Sequence, residues 1–355
     1  MLGAATSIHL RRWALAMAGR GLRVTVITAA PHEIPGVSVI ALAPVANGAD
    51  WFARVPAVRR ELARLAPDIV HSHYLTSYGM LAATGGRRPL VMTAWGSDIL
   101  VSPRRSVWVR LLTGWVLRRA ALVTADSRDV LDAIAAYRPS ARLIEVLPGA
   151  DTTLFMPLEP ARKPAGFHVA SLRSWEPNYR IEVIVRAFAA LLASGPAVLH
   201  LFGGGSGEAA LRALVSELGL ASAVQWHGWL PPQALARELA ACSVSVSVPH
   251  SDATSVSLFE SMACGLPVVV SDLPANRQWV SPDGGIVLGS GEAQALADAL
   301  HALRDDPARR ARLGSHNHQL IQAHGSSAAQ MDRMAQLYRE LVPASGALHE
   351  TNTRE

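Results

Sequence analysis

Apolar residues recur along the chain in two alternating rhythms. The β-branched runs RVTVIT (23–28), VSVIAL (37–42), DIVHSH (68–73), PLVMTAW (89–95) and ALVTADS (121–127) alternate with segments at 8–20, 53–65 and 104–120 whose apolar positions repeat at helical spacing. That alternation predicts a parallel sheet covered by helices. The second half repeats it. FHVASL, AVLHLFGG, AVQWHG, CSVSVSVP, PVVVSD and GGIVLG read as strands, and 181–194, 207–219, 233–241, 257–264 and 292–304 as helices. Two doubly wound α/β domains in tandem follow.

Prolines and glycines interrupt the pattern between residues 147 and 166, which puts a first domain at 1–158 and a second at 159–326. Residues 327–342 read as a last amphipathic helix returning to the first domain, and the polar segment 343–355 as a disordered tail. A cleft between the two domains is the expected ligand site. The first, central strand of the first domain reads as truncated, with its start upstream, because helical periodicity begins at Ile8 after only a few residues.

With 355 residues, half of them apolar, the chain has enough material for two cores. A disordered protein or a disulfide-stapled miniprotein is excluded. The sequence contains no run of ~18 apolar residues and its start lacks the order of a secretory signal. Cys242 and Cys264 lack metal-ligand spacing, so a cytoplasmic setting is expected. The net charge of +5 is uneven: residues 1–160 carry 18 arginines against 11 acidic residues, while 161–355 carry 15 basic against 17 acidic. An anionic partner for the first half is expected. The stretch Arg104, Arg105, Trp108, Arg110, Trp115, Arg118 and Arg119 fits either a core-packed helix with solvated arginines or a helix lying on an anionic membrane surface at the inner face.

The chemistry concentrates after residue 249. A strand ends, a small-residue turn follows, and a helix opens around Thr254, Ser255 and Val256. The unpaired N–H groups of its first turn form an anion socket. Asp252 and Glu260 stand eight positions apart, about two helical turns at ~3.6 residues each. Amides receiving a diphosphate, one carboxylate accepting sugar hydroxyls and the other ribose hydroxyls would suit a sugar nucleotide. Taken singly, the same residues read as a helix cap and a solvated helix residue. Gly203, Gly204 and Gly205 follow the strand ending at Phe202, where missing Cβ atoms either admit a ligand or simply make a tight turn.

The run Asp252-x7-Glu260 followed by Ser-Met-Ala-Cys-Gly-Leu-Pro-Val-Val resembles the E-x7-E signature of the retaining glycosyltransferases of family 4. Further pieces match in order: Ser7–Trp13, Ala18–Thr28, Pro67–Tyr74, Trp95–Asp98, Leu147–Asp151 and Leu201–Gly205. The resemblance implies the GT-B fold, two Rossmann-like domains facing each other across a cleft. It also implies retention of anomeric configuration without a metal, and no cofactor beyond a nucleoside-diphosphate-sugar as co-substrate.

It places the donor on Arg173, Gly203, Gly205, Gly228, Thr254, Ser255, Val256, Ser257 and Glu260, with Arg180 as a displaced second cation where the family carries lysine. Catalytic roles fall to Asp252, Arg173 and His73, and the acceptor side to His9, His73, Trp95 and Asp98. His73 also reads as a structural group and Asp98 as a helix entrance. The segment Val224–Leu230 resembles the family's nucleobase-contacting turn around Gly228, and Trp226 and Trp229 read equally as core aromatics. Three departures stand out. Asp252 is a methylene shorter than the family's glutamate, Trp95 replaces a frequent histidine, and Asn178-Tyr179-Arg180 replaces the usual lysine segment.

The function implied is sugar transfer to a glycan or lipid-linked acceptor in cell-surface polysaccharide or glycolipid synthesis. The alternatives are a sugar-nucleotide 2-epimerase and a catalytically degenerate GT-B binding subunit. A nucleic-acid partner is not expected, because no aromatic RNA platform or recognition helix appears.

Overall fold

The computed structural model describes residues 1–86, 89–289 and 292–342, without the side chain of Arg105, so the expected tail at 343–355 lies outside the described residues. Two compact units form among the described residues: Met1–Leu147 together with 328–342, and Pro148–Ser327.

The first unit holds β1 (Thr25–Thr28), β2 (Ser38–Ala41), β3 (Val70–His73), β4 (Leu90–Thr93), β5 (Leu122–Ala125) and β6 (Arg142–Glu145), all paired in parallel. Leu2 bridges Ile27 of β1 and Ser72 of β3. Its N–H donates to His71 O at 2.7 Å, and its carbonyl accepts from His73 N at 2.9 Å. The order is therefore β2–β1–Leu2–β3–β4–β5–β6, with Leu2 bridging in the central place. A cavity of about 770 Å³ lies among the strand starts, lined by Met1, Val24, Leu62, Asp68 and Tyr338.

The helix Ser327–Leu341 covers one face of this sheet. Met331, Met334, Ala335 and Tyr338 recur at helical spacing and pack with Trp13, Met17, Val91 and Leu122. The helix expected at 53–65 is Val55–Leu65, with a further helix, Gly48–Ala53, just ahead of it, and the one expected at 104–120 is two. Asn47 and Asp50 form a reciprocal capping box that starts Gly48–Ala53, and Val55–Leu65 carries proline in its first turn. In the later stretch, Ser106 is extended between Ser102–Arg105 and Val107–Leu117.

The second unit holds β7 (Phe167–Ser171), β8 (Ala197–Phe202), β9 (Val224–Gly228), β10 (Val244–Ser247), β11 (Val268–Ser271) and β12 (Gly285–Leu288), in the order β12–β11–β10–β7–β8–β9. The chain starts centrally at β7, runs out to β9, and returns past β7 to β10. The order therefore reverses between β7 and β10, where loops diverge to leave a crevice at the strand ends. One face packs Phe167, Val169, Leu199, Leu201, Val244 and Val246 against the helix Ile181–Ala193, whose Ile184, Val185, Phe188 and Leu191 are buried. The division falls at Leu147/Pro148, ahead of the proline-rich stretch. Ala150 pairs with Gly325 and Ser327 at 2.8 Å, and Phe155 is buried, so 148–158 belongs with the second unit.

Candidate active site

At the reversal point of the second sheet, the loop after β7 supplies Arg173, and the loop after β10 leads through Asp252 and Ser255 into the helix Val256–Ala263. Arg173 is buried, with its Cζ over the Tyr179 ring, 4.4 Å from its centroid. Its Nη2 donates to Asp252 Oδ2 at 2.6 Å, and its Nη1 donates to Ser257 Oγ at 3.2 Å and to Ser255 Oγ. The two serine hydroxyls are 2.8 Å apart. Ser255 is the residue before the helix, yet its hydroxyl serves Arg173 and makes no side-chain cap. The first-turn N–H groups of this helix therefore keep their donor capacity for an anion. Burial pushes the Asp252 carboxyl above its usual range, and the Arg173 charge and the Ala253 amide oppose that rise.

Thr254 is buried with its hydroxyl unpartnered, and Glu260 is buried in the second turn of the helix. Arg173, Asp252, Ser255 and Ser257 thus come together, with Thr254, Val256 and Glu260 on the same segment and helix. Arg180 adopts left-handed φ 55° at the start of the helix Ile181–Ala193, outside the bonds of Arg173 to Asp252, Ser255 and Ser257.

The glycines serve close approach. A Cβ at Gly203, whose φ is +110°, would sit 3.0 Å from the Arg173 carbonyl oxygen. At Gly205 it would sit 2.7 Å from the carbonyl oxygen of Trp175, so that glycine is required by loop packing. Gly228 is also left-handed, at φ +63°, and its carbonyl accepts from Gly203 N at 2.8 Å. Glu176, which the sequence reading did not single out, and Asn178, named there only as part of a departure from the family pattern, hold the loop after β7. Glu176 Oε1 accepts Ser206 N at 2.8 Å, and Asn178 Nδ2 donates to Ser251 O at 2.9 Å. Only the spacing of polar residues after Arg173 hinted at these ties. Of the two tryptophans, Trp226 packs edge-on to Trp175 and into the core, while Trp229 is 76% exposed.

The corresponding edge of the first sheet gathers His9, Trp13, His73 and Trp95. His9 and Trp95 lie 4.5 Å apart by ring centroid, and His73 stacks on Trp95 at 5.7 Å and meets Trp13 edge-on at 5.0 Å. His71 is held between Tyr338 Oη at 2.5 Å and Thr93 Oγ1 at 2.8 Å. Neither ring nitrogen of His73 has a partner among the described residues, and burial pushes its pKa down to about 3. Burial, with Arg12 adding to it, takes His9 down to about 4. Asp98 is buried, and its oxygens accept the Leu75 and Trp95 amides at 2.8 and 3.0 Å. It ties the loops after β3 and β4 together at the entrance of the short helical turn Ser97–Val101. Burial raises it to about 6 against the pull of those amides.

Cys242 and Cys264 are buried free thiols, each raised to about 12 by desolvation. Among the described residues no helix is long and apolar enough to cross a membrane.

Residues 160–319 match the family description "Glycosyl transferases group 1", and residues 1–127 match "Glycosyl transferase 4-like". A D-inositol 3-phosphate glycosyltransferase of Acidothermus cellulolyticus is 27% identical, over 86% of this chain and 79% of its own length. An MMP alpha-(1->4)-mannosyltransferase of Mycolicibacterium hassiacum is 27% identical, over 70% of this chain and 64% of its own. The structure of HepE of Anabaena with UDP and glucose superposes at TM-score 0.78 with 18% identity, over 95% of this chain and 98% of that one. Sucrose-phosphate synthase of Thermosynechococcus elongatus superposes at 0.77 with 21% identity, over 94% and 92%. These structures share the fold. Two parallel Rossmann-like units, the Asp252-to-Glu260 helix at the reversal point and these matches together show that the chain belongs to the family 4 type of GT-B glycosyltransferases.

Proposed function

We propose that the chain transfers a hexose, with retention and without a metal, from a nucleoside-diphosphate-sugar to a hydroxyl of a glycan or lipid-linked acceptor. The observation that carries this is the buried Arg173 guanidinium, aimed at Ser255 and Ser257 where the helix Val256–Ala263 opens. A planar fork of donors beside free helix amides and the positive end of a helix dipole matches a diphosphate. The donor phosphates displace the serine hydroxyls as acceptors for Arg173, Arg180 supplies a second charge, Asp252 accepts sugar hydroxyls and Glu260 the ribose hydroxyls. Such preorganised donors act where charge grows on the departing diphosphate.

In the transfer step the C1–O bond to the diphosphate breaks and the acceptor oxygen bonds C1 on the same face. The acceptor proton passes to a departing phosphate oxygen. The acceptor binds at the His9, His73 and Trp95 edge of the first unit, where aromatic faces suit a sugar ring. The name of one relative, a phosphatidylinositol monomannoside mannosyltransferase of Corynebacterium glutamicum, favours a glycolipid product, and that of the D-inositol 3-phosphate glycosyltransferase favours a phosphoinositol acceptor.

A lipid-linked acceptor requires access to a bilayer. Val107, Trp108 and Leu111 are exposed on one helix, beside exposed Arg104, Arg110, Arg118 and Arg119. That combination fits an anionic membrane surface.

The test is calorimetric binding of UDP and GDP, followed by sugar transfer with the matching UDP- or GDP-hexose and a phosphoinositol acceptor. Nucleotide binding lost in Arg173→Ala is expected. Wild-type protein that binds neither nucleotide refutes the reading, and binding without turnover marks a binding subunit.

A further inference from the structure

The in-plane bonds of Arg173 are spent within the chain. Its Nη2 donates to Asp252 Oδ2 at 2.6 Å, and its Nη1 donates to Ser257 Oγ at 3.2 Å and to Ser255 Oγ. A diphosphate that takes up these donors must replace those acceptors, and a guanidinium changing partners in its plane can turn unless something holds its face. Tyr179 lies against that face, with the Arg173 Cζ 4.4 Å from the centroid of its ring. An aromatic face attracts a cation through its quadrupole and uses none of the N–H donors. The contact is therefore compatible with either set of in-plane partners.

The ring is itself braced. It ends the single turn Pro177–Tyr179, in which Tyr179 N donates to Glu176 O at 2.9 Å and proline fixes φ at the first position. Asn178 ties this turn twice to the loop after β10. Its carbonyl accepts His250 N at 2.9 Å, and its Nδ2 donates to Ser251 O at 2.9 Å. Those two residues directly precede Asp252, the carboxylate that Arg173 meets. Tyr179 is half-buried and packs against the core of the second unit. One short segment thus backs the cation and holds the loop that carries its partner. Asn178-Tyr179-Arg180 is also where the sequence departs from the family's lysine segment, so the family pattern does not supply this contact.

We propose that Tyr179 is a positioning residue, whose ring face keeps the Arg173 guanidinium oriented for the donor diphosphate while Asp252, Ser255 and Ser257 give up its N–H groups. The proposal rests on the donor-site reading above and concerns affinity for the phosphates, not for sugar or base. Without the ring face the charge remains, but its orientation must be fixed at the moment of binding, which costs affinity. A ring that only filled space would give way to another apolar side chain with no effect on binding.

The experiment measures binding of UDP, GDP and inorganic diphosphate by calorimetry in wild-type chain, Tyr179→Phe and Tyr179→Leu, with a melting curve for each. Tyr179→Leu should weaken nucleotide and diphosphate alike by roughly 2- to 30-fold, which is ~0.5–2 kcal/mol at about 1.4 kcal/mol per tenfold. Tyr179→Phe keeps the face and should stay within about twofold of wild type. Because leucine also alters packing, a second series adds three and then five fluorines to the Tyr179→Phe ring. Fluorine drains the negative ring face at nearly constant shape, so affinity for nucleotide and diphosphate should fall stepwise along that series. A flat fluorine series, a loss confined to the nucleotides, or a Tyr179→Phe protein as weak as Tyr179→Leu overturns the positioning role and leaves the donor site standing. Wild type that binds neither nucleotide overturns both.

Discussion

Replacing Arg173 with alanine tests the centre of the site in a way that separates stability from binding. The guanidinium is nearly enclosed, with 10% of its side chain exposed against 21% for Asp252. Removing it leaves a mostly buried carboxylate without its 2.6 Å partner. Breaking a fully buried pair costs ~3–5 kcal/mol, and the residual exposure of Asp252 lowers that to about 2–3 kcal/mol.

For a unit of this size each kcal/mol moves Tm by ~2–4 °C, so a fall of about 4–12 °C is expected at pH 8. Burial already raises the Asp252 pKa, and without Arg173 nothing of that strength opposes it. Between that raised native value and the ordinary carboxylate value the native state binds more proton than the unfolded state. The deficit should therefore shrink as pH falls towards the ordinary carboxylate range, where both states are protonated. Asp252→Asn on the Arg173→Ala background removes the buried charge and should restore most of the melting temperature without restoring nucleotide binding. Melting curves of wild type, Arg173→Ala and the double variant at pH 5 and pH 8 decide it. An Arg173→Ala protein as stable as wild type at pH 8, or no rescue by Asp252→Asn, would refute the reasoning.

Other consequences follow from single features. His73 is buried neutral with its pKa lowered to about 3 from 6.5, so the unfolded state takes up a proton that the native state does not. Stability contributed by this group is present above pH ~6.5 and is lost as pH falls, by about 2 kcal/mol at pH 5. His73→Leu should flatten that part of the denaturant midpoint against pH. Gly205→Ala would drive a Cβ to 2.7 Å from the Trp175 carbonyl oxygen, which should cost ~1–3 kcal/mol by urea unfolding. Gly219→Ala, with no atom within 4 Å of its Cβ but with φ +67°, should cost only backbone strain of ~1–2 kcal/mol. The double variant Trp108→Glu, Leu111→Glu should lose co-sedimentation with phosphatidylserine vesicles. Wild-type binding should weaken at high salt, and salt-insensitive or absent wild-type binding would remove the membrane surface.

The strands were legible because a sheet buried on both faces leaves little choice of residue. RVTVIT, DIVHSH and ALVTADS contain β1, β3 and β5, and each run of the second half contains one of β7–β12. The strand β6 escaped notice because its four residues are exposed or only half-buried, with arginine and glutamate at its ends, so it carries no continuous apolar signal. The helix Pro307–His324 escaped because it buries few side chains, Leu313, Asn317 and Ile321 among them, and Asn317 is held by hydrogen bonds to the Leu266 and Gly284 carbonyls.

In the site, the helix opening at Val256 and its carboxylates were readable from spacing along one element. The contacts of Arg173 were not, since its partners lie 79 to 84 residues away. Asp98 shows the converse. Its place after a strand and a glycine allowed two readings, and its bonds to Leu75 and Trp95 favour the tie at a helix entrance.

Periodicity and residue type along the chain therefore determined the alternation of strands and helices, the two-unit plan and the local anion socket. Each of these depends on neighbours within a few residues, where backbone geometry alone fixes which side chains share a face. Tertiary structure decided which strand is central, that a stub at Leu2 joins two halves of a sheet, that Ser255 serves Arg173 and not the helix cap, and that of two nearby tryptophans one is core and the other bare. Those outcomes depend on pairings between segments far apart in sequence, and the distance between residues along a chain carries no information about which surfaces meet once it folds.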